Sequence, residues 1–228
     1  IGNYGVNSFD TESDGPKVRG FIVRDYSDFP SNWRAETTLD KYLKDHLIVA
    51  IQGIDTRALT RKLRDCGTMN GIISQEYPTD AQIRALNKYR IVNPVREVTA
   101  RQIYDIKGDG KRVAVIDYGL KRNILKSLMY MKFDMRVFPA STPAEKVLDY
   151  CPDGILLTNG PGDPRDNAAE IAELKKLIGV KPIFGICLGH QLLALAKGGN
   201  TVRMKYGHRG SNQPVKDFET GKVLITSQ

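Results

Sequence analysis

Four apolar runs, each separated from the next by a stretch of helical length, leave the second half of this chain few ways to fold. They are Arg112–Asp117, Met135–Phe138, Gly154–Thr158 and Pro182–Ile186. A strand with one wet face alternates polar and apolar residues, whereas a continuous run suits a strand buried on both faces. The stretches Lys121–Met131, Pro143–Asp149 and roughly Asn167–Ile178 read as the intervening helices. Strands alternating with helices at this spacing predict an α/β class, with a mostly parallel, doubly wound sheet.

The first half has another rhythm. Residues 1–36 are rich in Gly, Asp, Ser and Pro and read as loop, with one short strand at Gly20–Arg24. Thr38–Lys44 predicts a helix with Leu39, Tyr42 and Leu43 on one face, and Ile48–Ile51 a strand. Asp55 is placed to cap a helix reaching Asp65, with Gly67 as its stop. Its Arg57, Arg61, Lys62 and Arg64 suit either a solvated face or a docking surface. Met69–Ser74 predicts a strand and Asp80–Tyr89 a helix. Asn93-Pro94 and the turn-rich Thr99–Lys111 break the pattern, which predicts an α/β domain over 1–108 and a second domain over 109–228. Near the end, Thr201–Met204 and Lys222–Thr226 predict strands of antiparallel character.

Composition narrows the function classes. A net charge of +8 over 228 residues invites a nucleic-acid reading, but the charges are scattered, with no basic block and no aromatic-basic signature. No run has the apolar length of a bilayer span and no basic-then-apolar leader opens the chain, which predicts a cytoplasmic protein. Cys66, Cys151 and Cys187 are an odd, widely spaced set, against a disulfide framework, and none has metal-ligand spacing. The chain opens on Ile1 and closes just after an apolar strand, so both ends read as internal.

The chemistry concentrates in Lys181–Gly199. A strand, an abrupt turn at Cys187 and a helix from about Leu188 to Lys197 end at Gly198-Gly199. Gly185-Ile186-Cys187-Leu188-Gly189 is the nucleophile-elbow pattern with cysteine in place of serine. The new helix aims its free N–H groups at the sulfur, which favours thiolate. A lone intracellular cysteine is usually a small buried hydrophobe, the reading that suits Cys66 and Cys151. The flanking glycines set Cys187 apart as a candidate nucleophile. One strand earlier, Asn159-Gly160-Pro161-Gly162-Asp163-Pro164 follows another strand end. Its backbone N–H groups, with that of Leu188, suit an oxyanion hole for acyl transfer.

A thiolate of this kind needs a base, usually a histidine held by a carboxylate. His46 is expected on the surface and His190 is expected to pack structurally along the elbow helix. His208, in a Gly-rich loop, could approach but has no carboxylate to orient it.

The segments GICLGHQLLALA, TNGPGDP and MKYGHRGSNQPV together resemble the class I (triad) glutamine amidotransferases. IGNYGVN, IVAIQGIDTRALTRKLRDCGTMNGIIS and VAVIDYGLKRNILKSL are similar to the glutaminase-subunit branch of carbamoyl phosphate synthetases. The resemblance runs essentially end to end. It implies a partial N-terminal domain followed by a C-terminally truncated amidotransferase domain. It also implies that Cys187 attacks the carboxamide of L-glutamine, releasing ammonia through a γ-glutamyl thioester. Gly162 and Leu188 match the family's oxyanion-hole positions, and Gly160 and Gln191 match positions near bound glutamine. The implied partner is a large synthetase subunit, which would carry ATP and Mg; no cofactor or metal is expected on this chain. The family's catalytic His and Glu lie in a His-Pro-Glu motif expected downstream of Gln228, so the chain is expected to hydrolyse glutamine poorly by itself. Another cysteine hydrolase, another amidotransferase's glutaminase domain, or an inactive subunit-binding role are the alternatives.

Overall fold

Local signals account for most of the elements in the computed structural model, which describes residues 4–208, 210 and 212–226. The chain ends at Ile1 and Gln228, and Arg209 of the Gly-rich loop, lie outside these residues. Strand β1 (Gly20–Ile22) is followed by helix α1 (Leu39–Asp45), strand β2 (Val49–Ile51) and helix α2 (Thr56–Cys66). β1 and β2 pair in parallel as a two-stranded sheet. Asp55 caps α2 by accepting from Ala58 N at 2.9 Å, and Gly67 ends it at φ 86°. Helix α3 (Asp80–Lys88) opens on a capping box between Thr79 and Gln82.

The apolar run Met69–Ser74 forms no strand. Asn70 donates its amide to the carbonyls of Leu86 and Tyr89 at the end of α3. Ile73 lies against Gly20, where a Cβ would come within 2.8 Å of its Cδ1. Of this run only Ile73 is half-buried, while Met69 and Ile72 stay exposed, and the backbone lies outside any ladder.

Turn-rich residues before Gly108 join the second half physically. Helix α4 (Pro94–Val98) begins where proline is tolerated, and its Val95, 1% exposed, enters the main core. Strand β3 (Tyr104–Ile106) pairs antiparallel with a strand of the main sheet. That sheet continues through β4 (Arg112–Asp117), helix α5 (Arg122–Tyr130), β5 (Asp134–Pro139), helix α6 (Ala144–Asp149), β6 (Gly154–Leu157), helix α7 (Ala168–Leu177), β7 (Ile183–Gly185) and helix α8 (Leu188–Ala196). Its order is β3-β5-β4-β6-β7, all parallel except β3.

From β4 the chain moves outward to β5, then crosses back over β4 to β6. The direction of winding reverses between β4 and β6, and ligands of open α/β sheets bind beyond the strand ends at such a point. One sheet face packs Val115, Met135, Val137 and Leu156 under Leu125 of α5. The other carries the larger core, with Ile116, Phe138, Leu157, Leu174, Leu188 and Leu192. α8 stops as its glycines require, with Gly198 at φ 86° and Gly199 N donating to Ala194 O at 2.8 Å.

Beyond α8 the expected strand Thr201–Met204 is absent, because this segment reaches back to the end of α2. Thr68 N donates to Lys205 O at 3.3 Å, and Arg203 donates to Thr68 Oγ1 at 2.9 Å. Strand β8 (Gln213–Lys216), which the pattern did not signal, pairs antiparallel with β9 (Val223–Thr226). Among the described residues no helix is long and apolar enough to cross a membrane.

Candidate active site

Cys187 sits between β7 and α8 with φ 52° and ψ −108°, outside the ordinary regions for a residue bearing a Cβ. Such strain costs of order 1–3 kcal/mol and persists only when the surroundings impose it. Here they do. A Cβ on Gly185 would lie 2.6 Å from His190 N, and one on Gly189 would lie 2.4 Å from Leu157 O. The first turn of α8 therefore presses against β6 and β7 with nothing between. Gly189 N donates to Ile186 O at 3.0 Å and to Thr158 O at 3.1 Å, and Gln191 N closes the turn onto Cys187 O at 3.1 Å. Leu188 is buried below, while Cys187 and Gln191 are exposed.

Thr158, fully buried, joins three pieces of this floor. Its Oγ1 accepts from Tyr118 N at 2.9 Å and donates to Asn159 O at 3.0 Å, while its carbonyl receives Gly189 N. The end of β4, the loop after β6 and the elbow helix thus share one hydroxyl and one carbonyl. Thr158→Val leaves the Tyr118 N–H without an acceptor and should lower stability by about 1–3 kcal/mol, with Thr158→Ser recovering most of it. Urea unfolding of the two variants checks this; a Thr158→Val variant as stable as the parent, with the loss confined to Thr158→Ser, would point to the methyl group instead.

The loop after β6 lies against β4 and the elbow together. A Cβ on Gly160 would meet Tyr118 O at 2.3 Å and Leu188 Cδ2 at 2.7 Å. The glycine lets the loop touch both. Gly162, at φ 92°, faces Pro94 of α4, whose Cγ would be 2.6 Å from its Cβ. Asn159 donates to Gly119 O at 2.9 Å and accepts from Lys121 N at 3.3 Å. Among the described residues, no protein acceptor meets the N–H of Gly162 or of Leu188. The Leu188 N–H directly follows the exposed Cys187, and an unsatisfied donor so placed is what an oxyanion site requires.

Downstream, Asp163 caps the 3-10 turn Pro164–Asp166. Hydrogen bonds from the Arg165 side chain, and then from its backbone N–H, hold the Asp163 carboxyl at about 2. An unfolded Asp titrates near ~3.9, so the stability this cap contributes is present above that pH and is lost as pH falls toward 2. Asp163→Asn should therefore flatten the acid limb of the unfolding profile, the gap to the parent chain closing between about pH 4 and 2. Denaturant midpoints across that range measure it.

The structure leaves the base unassigned. His190 is exposed on α8, where packing was expected, because it lies on the outer side of a helix whose buried face is Leu188, Gly189 and Leu192. His208 is exposed, and His46 rests on Tyr42 with its Nδ1 2.8 Å from the Tyr42 carbonyl. No described histidine or carboxylate hydrogen-bonds Cys187. Burial, and secondarily the Glu170 carboxylate, raise the Tyr118 phenol, so it stays protonated. Cys66 and Cys151 are exposed, against the expectation of buried packing, since both lie at helix ends turned to solvent.

Sequence reasoning overlooked Thr158, Asp117 and Glu12. Asp117, 5% exposed, accepts from Gly119 N, Leu120 N and Ala100 N and so forms the turn after β4. An aspartate closing an apolar strand was the available signal for it.

Comparison with known proteins bears on both halves. A family model for glutamine amidotransferase class-I matches residues 114–228, and one for the carbamoyl-phosphate synthase small chain, CPSase domain, matches residues 1–73. The chain is 50% identical over 228 residues to a carbamoyl phosphate synthase small chain of Caldanaerobacter subterraneus subsp. tengcongensis. It is 49% identical over 230 residues to a carbamoyl phosphate synthase pyrimidine-specific small chain of Bacillus subtilis, and 48% identical over 229 residues to a small chain of Clostridium perfringens. All of this chain is covered each time, and 62%, 63% and 66% of the respective relative.

Proposed function

We infer function from the premise that this chain belongs to the class-I glutamine amidotransferase family. We propose that it is the glutamine-hydrolysing part of a carbamoyl phosphate synthase, an assignment supported by its likeness to small chains over its whole length. The observation that carries the chemistry is the strained, exposed Cys187, followed directly by Leu188, whose N–H meets no protein acceptor among the described residues.

In this reading the Cys187 thiolate adds to the side-chain carbonyl carbon of L-glutamine. The carbonyl oxygen becomes an oxyanion and turns to the N–H groups of Leu188 and Gly162. Re-forming the carbonyl breaks the C–N bond; the departing nitrogen takes a proton and leaves as ammonia. Water then hydrolyses the γ-glutamyl thioester to glutamate and frees the thiol. Gly160 and Gln191 would, in this reading, line the glutamine. Ammonia would pass to a large synthetase subunit that consumes bicarbonate and two ATP, for arginine and pyrimidine synthesis. A cytoplasmic setting fits that chemistry.

A positioned acid–base group contributes about 10²–10⁴-fold, and among the described residues none meets Cys187, so glutamate release should run at a hundredth or less of the rate of a glutaminase in which such a group is in place. A coupled glutamate assay on this chain and on the Bacillus subtilis small chain tests it. Equal turnover would mean that a described histidine reaches Cys187 after all.

A further inference from the structure

Helix α5 begins badly by its own sequence. Its N-cap is Lys121, which makes no side-chain cap, its first turn holds no acidic residue, and Arg122 follows. Two cations beside the positive end of a helix dipole, with free N–H groups between them, oppose helix formation there.

The missing cap comes from more than a hundred residues upstream. The half-buried Glu12 carboxylate accepts from Asn123 N at 3.0 Å and from the Asn123 side-chain amide, and its main-chain carbonyl accepts from Arg122 N at 3.0 Å. The Asp14 carboxylate pairs with Arg122, and Arg122 also donates to Thr11 Oγ1 at 3.1 Å. One turn further on, Lys126 donates to Phe9 O at 3.0 Å and stands 4.6 Å from the Phe9 ring centroid.

On its other side, the same turn carries the loop of the candidate active site. Lys121 N donates to Asn159 Oδ1, and Asn159 Nδ2 donates to Gly119 O. Gly160 follows directly and rests on the Tyr118 carbonyl. Residues 118–123 are therefore held between Glu12 and Asn159.

We propose that Glu12 is a positioning residue. By capping α5 from the first domain, it fixes the turn on which the Gly160–Gly162 loop is seated. This gives the first domain a part in positioning the site. The proposal rests on reading that loop as the oxyanion donor.

The test compares the full 228-residue chain with Glu12→Ala and Glu12→Gln by two measurements. In amide NMR spectra, Glu12→Ala should move the Gly160 and Gly162 resonances along with those of Lys121 and Asn123, and Glu12→Gln, which keeps an acceptor, should move them less. Loss of a single oxyanion donor costs about 10²–10³-fold, so a displaced one should slow capture of Cys187 by diazo-oxo-norleucine about tenfold. Alkylation by iodoacetamide, which needs no oxyanion hole, should stay within about twofold, since thiolate character is unchanged. Adding Asn159→Ala to Glu12→Ala should then slow capture little further, as residues on one path are not additive. Changes confined to Lys121–Asn123, with Gly160, Gly162 and the capture rate unmoved, would overturn the proposal. If the parent chain itself is not captured, the glutaminase reading fails, while the glycine resonances still decide the cap.

Discussion

Cys187→Gly should abolish covalent capture of a glutamine analogue and at the same time make the protein more stable. The first effect follows from losing the only sulfur at the elbow; removing a nucleophile that works as part of a unit costs roughly 10³-fold or more. The second follows from the backbone. Cys187 is held at φ 52° and ψ −108°, where a Cβ is penalised and glycine is not. Relief of about 1–3 kcal/mol of strain outweighs the roughly 0.5–1 kcal/mol that glycine's extra freedom costs in the unfolded state. A net gain of about 1 kcal/mol is expected, while Cys187→Ala, which keeps the Cβ, should gain nothing. Chemical denaturation read beside capture separates the two effects. A glycine variant no more stable than the alanine variant would show that the elbow is unstrained.

Gly189→Ala should be among the most damaging single methyls the described glycines can receive. Its Cβ would lie 2.4 Å from Leu157 O and 2.6 Å from both the carbonyl carbon and the Cβ of Leu157. These atoms belong to β6, paired on both sides by β4 and β7, so the strand cannot retreat. The helix must lift instead, breaking the bond from Gly189 N to Thr158 O and uncovering Leu188 and Leu192. Overpacking costs about 1–3 kcal/mol where neighbours can yield; with rigid backbone on one side we expect about 3 kcal/mol or more, and loss of capture with it. Gly71→Ala is the control, since a Cβ there meets nothing within 4 Å. It should be neutral or gain up to about 1 kcal/mol. Similar melting temperatures for the two variants would contradict the packing described here.

Elements set by local physics were legible in the sequence. Asp55, Gly67 and the continuous apolar runs mark their helix and strands because caps, stops and two-sided burial act within a few residues. The segments misread were those whose partners lie far away in the chain. Met69–Ser74 and Thr201–Met204 have strand composition, yet their backbones are engaged by α3 and by the end of α2. Tyr104–Ile106 looked like loop because an edge strand of three residues carries little periodicity, and only β5 gives it a ladder.

The site divides in the same way. Cys187 and its glycines are a contiguous pattern with a steric meaning, and Gly160 could be read from the loop that bears it. Thr158 and Glu12 could not, since their importance lies in bonds to Tyr118 and Asn123, 40 and 111 residues away. No histidine could be chosen as base from sequence, and none of the described ones meets the sulfur.

The central claim, that the elbow thiol takes glutamine, is tested most directly by treating the chain with diazo-oxo-norleucine and mapping the adduct by peptide mass spectrometry. The account predicts saturable modification of Cys187 alone, slowed by L-glutamine, with Cys66 and Cys151, which are also exposed, untouched. Modification spread over all three cysteines, or a Cys187 rate indifferent to glutamine, would contradict it.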